Sequence, residues 1–193
     1  MGKLVVTEFV TLDGVIEAPG GGEQFEHAAW SFKFNRGAEG DKFKYDELMA
    51  SDAQLLGRVT YQGFAAAWPN VDAGDFSEKM NSMPKYVVSN TLTPATATWT
   101  NSTVIGGNDV PGQIARLKEQ IQRDIVLAGS PTLVRTLAEH NLVDEYRLMV
   151  FPVILGSGKR LFERGIAHTT LRLIESKPVG PDGVIILTYV PAT

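Results

Sequence analysis

The sequence predicts one α/β domain with a mixed, mostly parallel sheet and helices on both faces. The chain has 193 residues, a size typical of a single domain, and 44% of them are apolar, which is enough for a core without disulfide or metal support. Strand-like apolar stretches alternate with stretches of helical periodicity, as in α/β proteins. No internal repeat, low-complexity tract or linker interrupts them, so we expect one domain over residues 1–193.

The first half of the chain begins with a strand and a glycine-rich loop. Residues 3–11 alternate as a strand does, and the glycines within 19–22 predict a mobile loop, which we interpret as a lid. A helix is predicted from Asp41, and a short strand over 53–56 ends at Gly57. A second helix over 60–68 stops before Pro69, because proline disfavours helical geometry in the preceding residue. Brief strands follow at 85–89 and 103–105.

The second half predicts a βαβ unit followed by a hairpin. An apolar face at positions 110, 114, 117 and 121 indicates a crossover helix, and 124–128 forms a buried strand. Ser130 then provides an N-cap and Pro131 the first helical residue, so a helix precedes the next strand, at 145–155. The last two strands, about 171–176 and 184–190, flank the sequence PDG at 181–183, which suits a tight antiparallel turn.

Composition excludes several function classes. Lys and Arg total 18 against 22 Asp and Glu, a formal charge of −4 that disfavours nucleic acid and anionic membranes as partners. With no cysteine and three scattered histidines, we expect neither a metal site nor a thiol nucleophile. The apolar runs are shorter than the roughly 20 residues that cross a bilayer. No signal-peptide pattern is visible, so we expect a soluble, cytoplasmic protein without membrane contact.

Familiar catalytic motifs are absent. The sequence GSGKRL at 156–161 suggests a nucleotide loop, but it lacks the third glycine of a dinucleotide fingerprint and the residues a P-loop needs at 153 and 160. A serine-hydrolase elbow is missing as well.

Two loops at strand-to-helix junctions remain as candidates, because open α/β sheets bind ligands there. The first contains Gly57, Arg58 and Thr60, where a helix N-terminus, a guanidinium and a hydroxyl could meet a phosphate. The second contains Gly129 and Ser130 and follows the same logic. An ordinary capped helix explains each loop taken alone, but two such loops on one sheet favour a dinucleotide site.

Several short motifs resemble the dihydrofolate reductase superfamily in order and spacing. They are TLDGVI at 11–16, LLGRVTY at 55–61 and VS at 88–89. LVDE at 142–145, FPVILGSG at 151–158 and LF at 161–162 look like the reductase domain of the bifunctional riboflavin-biosynthesis deaminase-reductase and its stand-alone relatives. The resemblance implies a dihydrofolate-reductase-like three-layer fold with an antiparallel C-terminal hairpin. It further implies a homodimer whose buried contact uses the apolar C-terminal strands.

The function implied is an NADPH-dependent reductase that transfers hydride to a small heterocyclic or carbonyl substrate, similar to 5-amino-6-(5-phosphoribosylamino)uracil reductase. Deaminase activity is excluded, since the zinc signature is missing. The alternative is a function without catalysis, that of a dimeric sensor or scaffold that binds a dinucleotide or pterin.

The resemblance also assigns roles to individual residues. In the first phosphate loop Arg58 would lie near the 2′-phosphate that distinguishes NADPH from NADH. Asp13 would lie at the mouth of the nicotinamide pocket, or would only cap the turn before Gly14. The residues implied in cofactor binding are Gly57, Arg58 and Thr60, then Ser89 and Asn90 at the adenosine end, and Gly129, Ser130, Thr132 and Leu133 in the second phosphate loop.

The substrate is less constrained. Phe25, His27 and Trp30, within the lid segment (residues 25–32), concentrate aromatic rings beside a titratable group, as a pocket for a flat heterocycle would; ordinary amphipathic packing is the alternative. Known dihydrofolate reductases bind the pterin ring with a carboxylate on the helix after the first loop, and none aligns here. Lys159, Arg160 and Arg164 would bind a phosphorylated substrate or form a solvated face.

Overall fold

In the computed structural model, which describes residues 1–162 and 168–192, the chain forms one eight-stranded sheet with helices on both faces. The strands are β1 (Leu4–Thr11), β2 (Ser51–Gly57), β3 (Lys85–Val88), β4 (Ser102–Ile105), β5 (Asp124–Ala128), β6 (Glu145–Phe151), β7 (Leu171–Val179) and β8 (Val184–Pro191). The α-helices are α1 (Gly37–Ala50), α2 (Arg58–Ala67), α3 (Asp75–Ser82), α4 (Val110–Gln120) and α5 (Pro131–Glu139), and short 3-10 helices span Trp30–Lys33 and Trp68–Asn70.

The sheet is mixed and mostly parallel, which confirms the predicted fold class. Its strand order is β4-β3-β2-β5-β1-β6-β8-β7. Neighbours from β4 through β6 pair in parallel, whereas β8 pairs antiparallel with both β6 and β7. Gly180 and Gly183, with φ of 65° and 76°, turn the chain between β7 and β8, where the sequence predicted a tight antiparallel connection.

Each face of the sheet has its own core. The alternate side chains Leu4 and Val6 of β1 pack with α4 and α5 in the larger cluster. On the opposite face α1, α2 and α3 cover β2 and β3, with Leu48, Leu56 and Tyr61 buried among them. A third cluster lies between the segment after β1 and strands β6 and β8. The three-layer arrangement therefore follows from strands that are apolar on both faces.

Some element boundaries differ from the predicted ones. Helix α1 begins at Gly37 rather than at residue 41, and α3 was not predicted at all. Few residues of either helix are buried, so the apolar periodicity that marks a helix is weak. The buried residues are Gly40, Glu47 and Leu48 in α1 and Ser77 and Met80 in α3. Strand β6 ends at Phe151, not 155, because Pro152 cannot donate to the ladder.

The direction of the crossovers changes between neighbouring strands at one edge of the sheet. The helices that follow β1 and β2 lie on one face, and α5, which follows the intervening strand β5, lies on the other. Parallel strands that lead to opposite faces leave space between their outgoing loops. Within the described residues no helix is long and apolar enough to cross a membrane, and no three metal-ligating side chains cluster.

Candidate functional site

The two candidate phosphate loops meet at the carboxyl ends of β2 and β5. These strands pair in register up to Leu56 and Ala128, so the loops that follow start side by side. Helix α2 begins directly after Gly57, and α5 begins after Ser130, whose Oγ accepts the Leu133 N–H at 3.3 Å. Two helix N-termini thus begin at neighbouring points of this edge, and both present backbone N–H groups that lack intrahelical partners.

Only glycine fits at the point where the loops touch. A Cβ at position 57 would lie 2.5 Å from Ser130 Cβ and 2.6 Å from its Oγ. A Cβ at position 129 would lie 3.0 Å from Thr60 Cγ2 and still closer to Thr60 Oγ1. Gly129 also has φ of 72°, a backbone conformation that residues other than glycine rarely adopt. The structure therefore brings Gly57, Thr60, Gly129 and Ser130 together.

The remaining residues predicted to bind cofactor lie along the same edge. Arg58 is exposed in the first turn of α2, and its Nη1 donates to Gln62 Oε1 at 3.0 Å. Ser89 and Asn90 follow β3, the neighbour of β2, and both organise the backbone: Ser89 Oγ accepts the Leu92 N–H at 2.9 Å, and Asn90 Oδ1 accepts the Gly107 N–H at 2.8 Å. All three lie at the carboxyl ends of β2 and β3, the edge of the sheet at which β5 also ends.

In the second loop, the two predicted residues of the first turn of α5 differ in exposure. Thr132 is exposed, whereas the Leu133 side chain is buried in the core. Leu133 can therefore contribute to a ligand site only through its backbone. Since Pro131 carries no N–H, the loop offers the amides of Ser130 and Thr132 to an anion.

Asp13 binds the loop after β1 to the segment at 155–160. Its Oδ1 accepts the Thr11 hydroxyl at 2.6 Å and the Leu155 N–H at 3.2 Å, and its Oδ2 accepts the Gly156 N–H at 2.9 Å. Burial opposes ionisation, but these hydrogen bonds outweigh it and lower the pKa of Asp13 to about 2. The carboxylate is ionised at neutral pH and cannot serve there as a proton donor. Its observed contacts favour a positioning role.

The GSGKR segment forms the other half of this loop pair. Ile16 N–H donates to Lys159 O and Leu161 N–H to Gly14 O, both at 2.9 Å, and Gly158, with φ of 108°, packs under Val15. Lys159 Nζ lies 2.6 Å from Glu17 Oε1, and hydrogen bonding to that carboxylate raises the lysine pKa. Arg160 Nε donates to Asp13 O at 2.8 Å, so both cations have partners in this loop pair although their side chains remain partly exposed, and Arg164 lies outside the described residues.

The lid segment is only partly a surface feature. Phe25 and His27 are half-buried and meet edge to face, with ring centroids 5.5 Å apart. Trp30, in contrast, is 1% exposed, donates its Nε1–H to Glu17 O at 2.9 Å and packs against Phe151. The prediction that Trp30 lines a substrate pocket does not agree with this position, because its ring is part of the core and supports the segment from below.

The carboxylate of α1 that faces the sheet is already engaged. Glu47 is buried, accepts the Thr7 hydroxyl at 2.8 Å and pairs with Lys44, while Arg147 Nη1 lies 3.6 Å from its other oxygen. Glu39 on the same helix is exposed and pairs with Lys177. Glu47 Oε1 has no hydrogen-bond partner among the described residues, but it is buried and faces Arg147, so neither carboxylate is an open acceptor for a pterin ring.

Sequence reasoning missed Glu8, which lies directly beneath the second loop. The side chain is 6% exposed, and its Oε1 accepts the Gly129 N–H at 2.6 Å. Burial raises the pKa of Glu8 to about 8, against the Gly129 hydrogen bond, which lowers it. The available signal was one charged residue in the otherwise apolar and hydroxylic strand LVVTEFVT.

Comparison with known proteins places this geometry in a family. Residues 2–185 match the family model described as the RibD C-terminal domain. The uncharacterized Bacillus subtilis proteins YyaP and YwjB are 27% and 30% identical over 191 and 190 residues, covering 97% and 98% of this chain and 94% and 98% of their own length.

Solved structures share the fold at low sequence identity. A protein of Shewanella sp. PV-4 named for riboflavin biosynthesis superposes with a TM-score of 0.75 at 20% identity, covering 99% of both chains. Dihydrofolate reductase from Enterococcus faecalis superposes with a TM-score of 0.62 at 13% identity, covering 100% of this chain and 98% of the other. The chain belongs to the RibD C-terminal domain family and has the dihydrofolate-reductase-like fold.

Proposed function

We propose that the protein is an NADPH-dependent reductase that transfers hydride to a small heterocyclic or carbonyl substrate. The observation that carries this proposal is the pair of helix N-termini that begin at one edge of the sheet, after loops so close that only glycine fits at positions 57 and 129. Paired sites of this kind suit a diphosphate, because each N-terminus contributes free N–H groups and a positive dipole end. Family membership supports a reductase of the RibD type.

The roles of the loop residues follow from their positions. The first turns of α2 and α5 would bind the diphosphate, assisted by the hydroxyls of Thr60 and Ser130. Arg58, exposed at the outer side of α2, would bind the 2′-phosphate, and Ser89 and Asn90 would lie along the adenosine. When bound, the nicotinamide would supply hydride. The chain itself orients the reactants and excludes water.

The substrate side lies where the loop after β1 and the lid segment meet. Asp13 holds the loop to the backbone of Leu155 and Gly156, and Phe25 with His27 offers a half-buried aromatic surface above the buried Trp30. A flat conjugated ring suits such a surface. Because Asp13 is ionised at neutral pH, a proton that the product requires would come from His27, from water or from the substrate itself.

Titration with NADPH, followed by an oxidation assay with heterocyclic and quinone acceptors, tests the proposal. We expect saturable NADPH binding and oxidation that depends on the acceptor. Binding without turnover of any acceptor would instead favour the dinucleotide-binding sensor or scaffold. Failure of wild-type protein to bind either NADPH or NADH would overturn the proposal.

Dihydrofolate should be a poor substrate. Neither carboxylate described on α1 is open to a pterin ring, since Glu39 is exposed and pairs with Lys177 and Glu47 is buried against Thr7, Lys44 and Arg147, and an unpaired buried polar group costs about 1–3 kcal/mol. That cost corresponds to turnover about tenfold or more below that of an accepted heterocycle. Steady-state kinetics with dihydrofolate at saturating NADPH measures this ratio, and comparable kcat/KM for the two substrates would contradict it.

A further inference from the structure

Glu8 is a buried carboxyl group in the centre of the sheet. It lies in β1, two residues after Val6, and so shares the face covered by α4 and α5. Its Oε1 accepts the Gly129 N–H at 2.6 Å. Among residues 1–162 and 168–192, no other group donates a hydrogen bond to this carboxyl group. An isolated carboxylate with one donor and little water is a costly group to bury.

The hydrogen bond places Glu8 on the inner side of the second phosphate loop, which contains Gly129 and Ser130. Gly129 and Ser130 both have positive φ, 72° and 60°, so the loop reverses direction within two residues. The Gly129 N–H points inward to Glu8, whereas the first turn of α5 opens toward the loop of Thr60. An anion bound by the amides of Ser130 and Thr132 would therefore be separated from Glu8 by this one loop.

Two negative charges on opposite sides of one loop repel each other strongly where water is excluded. The charged side chains of α1 that act on Glu8 are Lys44, which favours its ionised form, and Glu47, which disfavours it. These two side chains pair with each other, so neither supplies an unopposed counter-charge.

The charged groups on the flanking strands and helices are engaged elsewhere. Arg147 of β6 binds Asp124 of β5 and Glu145 at 2.8 and 2.7 Å. The other charged side chains on the helices around the loop are Arg58 on α2, Arg135 and Glu139 on α5, and Arg116, Lys118 and Glu119 on α4. None of these side chains forms an ion pair with Glu8 in the part of the chain that the structure describes.

From this arrangement, and resting on the proposed cofactor site, we propose that Glu8 supports the second phosphate loop as a neutral carboxylic acid, so that dinucleotide binding takes up a proton at Glu8. The neutral form keeps an oxygen that accepts the Gly129 N–H and removes the repulsion toward the diphosphate. Burial, which raises the pKa to about 8, already brings the free protein close to this state at neutral pH.

NADPH affinity measured between pH 7 and pH 9 tests the proposal. If Glu8 titrates near pH 8 in the free protein and stays protonated in the complex, linkage predicts that NADPH affinity falls about tenfold between pH 7 and pH 9. Glu8→Gln retains an oxygen for the Gly129 N–H but carries no charge, so its affinity should change little with pH. Glu139→Gln, at the far end of α5, is the matched control and should behave as wild type.

Calorimetry in two buffers of different ionisation enthalpy supplies a second readout. At pH 8.5 we expect wild type to take up roughly half to one proton per NADPH, and Glu8→Gln to take up none. Wild-type binding that is independent of pH and releases or takes up no proton would overturn the role of Glu8 while leaving the proposed function intact. Absence of dinucleotide binding at every pH would overturn the proposed function itself.

Unfolding of the cofactor-free protein tests the titration independently. A carboxyl whose pKa is raised on folding contributes stability that is complete below its unfolded value of 4.5 and is lost as pH rises through about 8. The free energy of unfolding of wild type should therefore fall, relative to Glu8→Gln, between pH 5 and pH 9. Parallel curves for the two proteins would count against the proposal even if Glu8→Gln binds NADPH weakly.

Discussion

At the scale of single residues, Arg58 is the side chain on which dinucleotide selectivity should depend. It is exposed, and its partner Gln62 is neutral, so the guanidinium can exchange that contact for a phosphate at little cost. Hydrogen bonds to charged groups contribute about 1.5–3 kcal/mol. Arg58→Ala should therefore weaken NADPH binding by about tenfold to a hundredfold and leave NADH nearly unchanged.

Calorimetric titration of both cofactors into both proteins measures this selectivity. Arg116→Ala, which removes an exposed arginine from α4, is the matched control and should preserve the ratio of the two affinities. An NADPH-to-NADH ratio that is the same in Arg58→Ala and wild type would place Arg58 outside the site.

Asp13 should affect stability at acid pH. Because hydrogen bonds lower its pKa to about 2, it contributes stability that is present above its usual pKa of 3.8 and is lost as pH falls toward 2. The contribution is about 1–2 kcal/mol. Urea unfolding at pH 5 and near pH 2 should show this loss in wild type and its absence in Asp13→Asn. Asp46→Asn, an exposed control, should retain it, and equal losses in wild type and Asp13→Asn would contradict the assignment.

At the scale of elements, the contact between the two loops should be sensitive to single methyl groups. Gly57→Ala would push a Cβ into Ser130, and Gly129→Ala would additionally strain a residue with φ of 72°. Left-handed geometry costs about 1–2 kcal/mol for an L-residue. Both variants should lower the thermal midpoint and weaken NADPH binding, Gly129→Ala more than Gly57→Ala.

A second substitution tests whether the destabilisation of Gly57→Ala comes from the steric clash with Ser130. Ser130→Gly removes the atoms that clash with a Cβ at position 57 and suits the left-handed geometry of Ser130, so Gly57→Ala with Ser130→Gly should be more stable than Gly57→Ala alone. Gly63→Ala is the control, because nothing lies within 4 Å of its added Cβ and alanine favours a helix. If the double variant is no more stable, the loops do not touch as described.

At the scale of the whole molecule, the C-terminal strands should form the contact of a homodimer. The outer strand β7 and its neighbour β8 expose Leu173, Ile174 and Ile185, which are 47%, 51% and 37% accessible. An exposed edge strand with large apolar side chains favours association. Light scattering at micromolar concentration should therefore give about twice the 21.0 kDa of one chain.

A charged residue at this face should dissociate the assembly. Ile185→Asp should give monomers, whereas Val71→Lys, which changes an exposed apolar residue of a distant loop, should not. A monomeric wild-type protein would contradict the prediction of a homodimer.

Local signals in the sequence determined the order of most elements and the positions of both candidate phosphate loops. Helix caps, helical periodicity and strand alternation involve neighbouring residues, so Ser130 before Pro131 and Gly57 after an apolar strand could be read without the fold. Helix α3 was missed because its buried side chains are too few to produce periodicity.

Contacts between residues distant in the chain were decided by tertiary structure. The sheet order places Glu8 beneath Gly129, the buried position of Trp30 depends on packing against Phe151, and the GSGKR segment closes on Asp13 through backbone hydrogen bonds. The clashes that require glycine at 57 and 129 likewise arise between two loops that are distant in the chain, since position 57 meets Ser130 and position 129 meets Thr60. Burial and pairing depend on which strands become neighbours, and no local pattern carries that information.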